Sequence, residues 1–179
     1  MVVKRTTSDT IREIKADVKV KRLKATFAEN PLFQLPIDSL TTEALTFHKM
    51  RDVRRLNPQE PKFVEVLLKA NAEDQRARSR LTEIIVECGR AISRLDKVLD
   101  HLTQYLLITY SLELKNYRTK EERMYVVGSV IKPFKDYLNS VESLRAAVQL
   151  IVVDIDKAAY SLKLYAELLK LHTKPEQFL

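Results

Sequence analysis

Residues 81–106 read LTEIIVECGRAISRLDKVLDHLTQYL. Leu81, Ile85, Cys88, Ile92, Leu95, Leu99, Leu102 and Leu106 recur at alternating steps of four and three, which places them on one stripe of a helix. A helix carrying such a stripe buries it against another helix, so these eight residues are the expected helix-packing seam. Cys88 falls in that seam, where a small buried apolar residue is expected rather than a reactive thiol.

Outward from the seam the pattern changes in both directions. Upstream, Asn71 to Arg80 is strongly polar, and Asp74 and Arg78 stand where the seam would continue. Either a solvated helix or a break is expected there, in a helix that starts at Pro61 and runs to about Lys115. Downstream the pattern stops at Asn116-Tyr117-Arg118, and Thr119 with Glu122 forms a capping box, the start of a second long helix. Its apolar residues fall on two overlapping stripes. One runs through Met124, Val127, Ile131, Phe134, Leu138, Val141, Val148, Val152, Ile155, Ala159, Leu162, Ala166 and Leu169. The other runs through Tyr137, Val141, Leu144, Val148, Ile151, Ile155, Ala158, Leu162 and Tyr165. Two stripes make a face wider than one partner helix covers. Pro133 is expected to kink this helix or to split it.

The short link between the long helices makes them antiparallel neighbours. The chain has only two glycines and no tryptophan, which argues against tight-turned sheets and glycine-rich phosphate loops. The expected fold is all-α: a long antiparallel helical hairpin or bundle over residues 61–179, preceded by an arm over residues 1–60. That arm combines two short helices, about 10–28 and 39–56, with an extended, proline-bounded strip over 30–37. Thr10 and Glu13, or Asp9, are the expected cap of the first. The strip, Asn30-Pro31-Leu32-Phe33-Gln34-Leu35-Pro36-Ile37, is too apolar for a free linker. Leu32, Phe33, Leu35 and Ile37 are therefore the candidate partner-docking residues, lying in a groove of the same chain or of a neighbour.

Charge is unevenly distributed. Residues 1–25 hold eight Lys/Arg against three acids, most of the chain's net +7. Lys19, Lys21, Arg22 and Lys24 are candidate contacts to a nucleic acid or another polyanion. Further basic clusters are Arg51/Arg54/Arg55, Arg76/Arg78/Arg80 and Arg118/Lys120/Arg123. Tyr117 and Tyr125 flank the last, so the hairpin tip is a second candidate, since aromatics beside cations suit single-stranded nucleic acid.

No catalytic or metal constellation is spelled out. His48, His101 and His172 are far apart, Asp154 and Asp156 point in different directions on a helix, and no nucleophile elbow, zinc-protease, phosphate-loop or dinucleotide motif occurs. No Glu-x-x-His of the di-iron bundles is present either. Neither catalysis nor a metal or other cofactor is expected. With no signal-peptide pattern, no span of roughly 20 apolar residues and a lone cysteine, the expected location is cytoplasmic or inside a particle assembled there, with no membrane partner.

The layout of basic arm, apolar strip and long hairpin resembles small helical accessory or virion proteins of bacteriophages. The helix ending near Tyr117-Arg118 and the long helix through Asp154-Ile155-Asp156 resemble phage recombination mediators, over the C-terminal half only. The first resemblance implies a structural role, the second a nucleic-acid accessory role, and neither assigns a residue. The expectation drawn from the chain as a whole is a non-enzymatic assembly protein associating with itself or other subunits. The alternative is a basic nucleic-acid-binding accessory factor.

Overall fold

A computed structural model of the chain describes residues 6–52 and 62–172. Among them every regular element is helical, and the chain is an all-α protein in which two long helices pack against each other. The elements are α1 (Thr7–Lys15), α2 (Val18–Glu29), a single 3-10 turn (Pro31–Phe33), α3 (Ile37–Asp52), α4 (Phe63–Thr109), α5 (Ser111–Leu114) and α6 (Lys120–His172). Lys4, Arg5, Arg54, Arg55, Pro58 and Pro61 fall outside the described residues, as do the side chains of Tyr165 and Leu169.

The contacts gather the chain into two units, each built from two separate stretches of sequence. One unit combines Met1–Ile37 with Glu87–Ser143; the other combines Asp38–Val86 with Leu144–Leu179. Each takes part of both long helices, because a stripe wider than one partner recruits whichever segments can cover it.

In the first unit, the arm starts with a capping box one turn earlier than Thr10. The Asp9 N–H donates to Thr6 Oγ1 at 3.3 Å and the Thr6 N–H donates to Asp9 Oδ2 at 3.2 Å. Thr10 is buried instead. The expected single helix is two: α1 closes at Ala16, and Asp17 caps α2 by accepting from the Lys19 N–H at 2.7 Å and the Val20 N–H at 3.4 Å. Ile14, Val20 and Leu23 then enter a core with Leu95, Leu99, Leu102 and Leu106 of α4, Leu114 of α5, and Val126, Val127, Val130, Ile131 and Phe134 of α6. The broad face of α6 is thus covered in this unit by the chain's own arm.

The strip over 30–37 is not extended throughout. Asn30 Oδ1 accepts from the Leu32 N–H at 3.0 Å, and Pro31, its φ preset, opens the 3-10 turn. Phe33 is buried to 3% exposure and stacks on Phe27 at 5.3 Å between centroids. Phe27 also meets Phe134 and Tyr137 edge-on, at 5.1 and 5.0 Å. The Tyr137 hydroxyl donates to the Leu32 carbonyl at 3.2 Å and accepts from the Leu35 N–H at 3.3 Å. Burial pushes its pKa above the usual tyrosine value, against the opposing pull of the Leu35 N–H. Leu32, Leu35 and Ile37 are half-buried. The groove under this strip is thus lined by the same chain's α6 face. Tyr137→Phe, which removes both bonds while keeping the ring, is expected to cost about 1–2 kcal/mol in chemical denaturation.

The seam of α4 is also shifted from its expected line. Leu81, Cys88, Leu95, Leu99, Leu102 and Leu106 are buried, but Ile85 and Ile92 are half-buried, and Ile84 and Ala91 take the buried positions beside them. From Ala91 the buried positions step by four twice, to Leu95 and Leu99. A strict heptad asks for 3.5 residues per turn, and a helix nearer 3.6 drifts across it, so a straight helix facing several neighbours drops the strict repeat. The polar stretch 71–80 does not break the helix. Ala70, Asp74 and Ala77 carry the buried line through it.

The capping box of Thr119 and Glu122 opens α6, with the Glu122 N–H donating to Thr119 Oγ1 at 3.1 Å and Glu122 Oε2 accepting from the Thr119 and Arg118 N–H groups. Pro133 does not split α6, which runs from Lys120 to His172. Proline inside a helix costs about 3 kcal/mol. Here it faces solvent while Val130, Ile131 and Phe134 on either side are held in the core. In the second unit Leu40 and Ala44 of α3, Ala70, Ala77, Leu81 and Ile84 of α4, and Leu144, Val148, Ile151 and Ile155 of α6 are buried.

Candidate functional site

The basic clusters separate once their neighbours are known. In the second unit, Arg78 Nε donates to Asp156 Oδ1 at 2.6 Å, and Arg80 Nε donates to Glu43 Oε1 at 2.8 Å and its Nη1 to Glu83 Oε2 at 3.2 Å. The bond to Arg78 holds the Asp156 carboxyl below the usual carboxylate range, and the bonds to Glu43 and Glu83 raise the Arg80 pKa. Arg51 reaches two helices at once: its Nε stands 3.2 Å from Asp74 Oδ1, an ionic approach rather than an aligned hydrogen bond, and its Nη2 donates to the Asp154 carbonyl at 3.3 Å. Arg51, Arg78 and Arg80 thus link α3, α4 and α6. Their charge is used in holding the fold.

The hairpin tip is similarly occupied. Arg123 Nε donates to the Tyr117 carbonyl at 3.1 Å. Arg118, Tyr117 and Tyr125 do line an open cleft, of about 800 Å³, but Glu121 and Glu122 line it too. Lys120 is exposed at the helix start. A mixed-charge cleft gives an approaching polyanion no net attraction.

The arm keeps its cations. Lys19, Arg22, Thr26 and Asn30 form one wall of a cleft of about 330 Å³ whose other wall carries Arg94 and Val98 of α4, with Leu23 and Phe33 at its floor. No acid lines it. Lys19 Nζ sits 3.6 Å from the centroid of the Tyr105 ring, so its ammonium is held at the cleft by a cation–π contact. The Tyr105 and Tyr110 hydroxyls in turn donate to Asp17 Oδ2 at 3.2 and 3.0 Å. Burial works to raise the Asp17 pKa, and the bonds from Lys19 N–H, Tyr110, Val20 N–H and Tyr105 outweigh it and leave it lowered. Burial, then the bond to Asp17, pushes Tyr110 up to about 12.

Of the four arm cations singled out in the sequence, the cleft brings together Lys19 and Arg22. Lys21 and Lys24 stand on other faces of α2, exposed. Arg94 was not among the candidates. Its signal is the spacing of Arg90, Arg94, Lys97 and His101, four, three and four residues apart, a basic row beside the α4 seam. Cys88 is fully buried. No group of three or more His, Cys, Asp or Glu placed to hold a metal ion occurs among the described residues, and none of their helices is long and apolar enough to cross a membrane.

The second unit has a different surface. Large apolar side chains stand exposed along α6, at Leu150, Val153, Tyr160 and Leu164, and at the start of α4, at Val64 and Leu68. Comparison with protein families, with characterised proteins and with solved structures finds no match for the chain, so neither phage resemblance gains support from them.

Proposed function

We propose that the chain is a non-catalytic helical assembly subunit that associates with copies of itself through its second unit. One observation carries the reading: beside its buried core the second unit leaves a run of large apolar side chains in water, while three of its buried positions hold only alanine. Ala44, Ala70 and Ala77 occupy buried positions, while Leu150 is 68% and Tyr160 63% exposed. Burying a leucine contributes about 1.5–3 kcal/mol, so a helix face that leaves Leu150, Val153, Tyr160 and Leu164 in water holds a large unused driving force for association. These residues lie three, seven and four apart, the spacing of one helix stripe, with Lys157 between them able to lay its methylenes along an apolar neighbour.

Sedimentation analysis tests it. Wild-type protein at tens of micromolar is expected to exceed the mass of one chain. Leu150→Glu/Tyr160→Glu, both at exposed sites, is expected to weaken association by about 100-fold or more and leave helicity unchanged. A wild-type protein that sediments as a single chain, or a double variant that keeps the wild-type size, overturns the proposal.

A further inference from the structure

We propose that the cleft between α2 and α4 is a binding site for the phosphodiester backbone of single-stranded nucleic acid, with Arg22 and Arg94 as its principal phosphate contacts and Lys19 as a third. The first support is the lining. Three cations, a threonine hydroxyl and an asparagine converge there with no acid among the described lining residues, whereas Arg78, Arg80 and Arg118 stand among carboxylates. Among the described residues Arg22 and Arg94 have no ion pair or hydrogen bond, so their donors are available to an oxyanion.

The second support is continuity. Lys15 lies beyond one end of α2, and Arg90, Lys97 and His101 continue the row on α4, all exposed. A single phosphate would be satisfied by the cleft alone, and a row of cations along a helix suits a ligand whose charge repeats. The third support is shape. The cations stand in a concavity of about 330 Å³, near the small end of ligand clefts, which a flat lipid surface cannot enter and a rigid duplex cannot fill. A flexible strand can place a phosphate between Arg22 and Arg94 and rest its sugar against Val98 and Leu23. Nothing in this arrangement reads base edges, so the binding is expected to be indifferent to sequence.

Fluorescence anisotropy with a labelled oligothymidylate of about 20 nucleotides tests the site on the full chain. Binding is expected at low salt, weakening with a log–log slope of about −2, as three phosphate contacts on a single strand require. Arg22→Gln/Arg94→Gln is expected to weaken binding at least about tenfold and to flatten the slope by about 1.4. Lys21→Gln/Lys24→Gln removes the same charge from the solvent side of α2 and is expected to change affinity less than about threefold. Circular dichroism reports whether each variant is folded, and Lys19, which rests on Tyr105, is left in place for that reason. Three results would overturn the site: no binding by the wild type at low salt, equal losses in the two double variants, or displacement of the strand by millimolar inorganic phosphate alone. Tighter binding of a duplex of the same length would also overturn it.

Discussion

Replacing Arg51 by methionine is expected to destabilise the protein by about 3–5 kcal/mol, more than loss of either Arg78 or Arg80 among the described residues of the second unit. Asp74 is only 8% exposed, on a helix turn whose neighbours Ala70 and Ala77 are buried as well. Arg51 supplies a cation 3.2 Å away and turns its Nη2 to the Asp154 carbonyl, so one side chain of α3 meets a charge on α4 and a backbone group on α6. Methionine keeps the length and loses both contacts, and the cost arises because a carboxylate out of water loses an adjacent counter-charge. The double variant Arg51→Met/Asp74→Leu removes the carboxylate along with its counter-charge and is expected to cost less than the sum of the two single variants. Urea midpoints of the single and double variants check this as a double-mutant cycle, and a single variant within about 1 kcal/mol of wild type contradicts it. Arg78 and Asp156, whose side chains are 43% and 49% exposed, form the contrasting case, an ion pair in high dielectric from which no comparable effect is expected.

Asp17→Ala is expected to cost about 2–3 kcal/mol, combining the loss of a helix cap with that of two tyrosine hydrogen bonds. One carboxylate starts α2 and joins it to Tyr105 and Tyr110, 88 and 93 residues along the chain. The pH dependence separates charge from shape. The folded protein holds the Asp17 carboxyl below its ordinary value of 3.8, so this contribution is complete above that pH and is lost as pH falls below about 4. The Tyr110 hydroxyl has the opposite sign. With a folded pKa of about 12 against an ordinary value of 10.0, its contribution is complete below pH 10 and lost as pH rises toward 12. Asp17→Asn keeps a capping oxygen and drops the charge, so it is expected to flatten the acid limb of stability and shrink the alkaline one. Denaturation midpoints across pH 2–12 check both limbs. An Asp17→Asn curve parallel to wild type over that range contradicts the assignment.

How much of this was legible beforehand differs element by element. Thr119 and Glu122 could be read because a capping box is local: both partners lie within four residues. The all-α fold could be read because apolar spacing recurs over many turns and averages out single errors. The exact seam could not. Ile84 and Ile85 are adjacent and equally apolar, so nothing in their order says which one turns inward; the neighbouring helices decide. The docking of the arm was half legible. Leu32, Phe33 and Leu35 announced that they would be covered, but the group that ties down Leu32 and Leu35 is Tyr137, about 100 residues away. Asp17 looked like one acid diluting a basic arm until two distant tyrosines gave it a role. Arg94 lay hidden because attention to charge density favours the crowded N-terminus, whereas the cleft is made by one cation meeting two others across a helix boundary.

The interleaving of the two units also has a kinetic side. The first unit needs residues 87–143 to close over 1–37, and the second needs residues 144 onward to close over 38–86. During synthesis neither can finish in chain order. The arm must wait through the making of the whole of α4, and the described part of 38–86 stays open until later still, with Leu40, Leu81 and Ile84, all buried in the finished fold, in view. Long-range closure of this kind slows folding and prolongs exposure of apolar surface to other nascent chains. For a chain proposed to assemble with its own copies, the interval between making α4 and completing α6 is when correct and premature association compete.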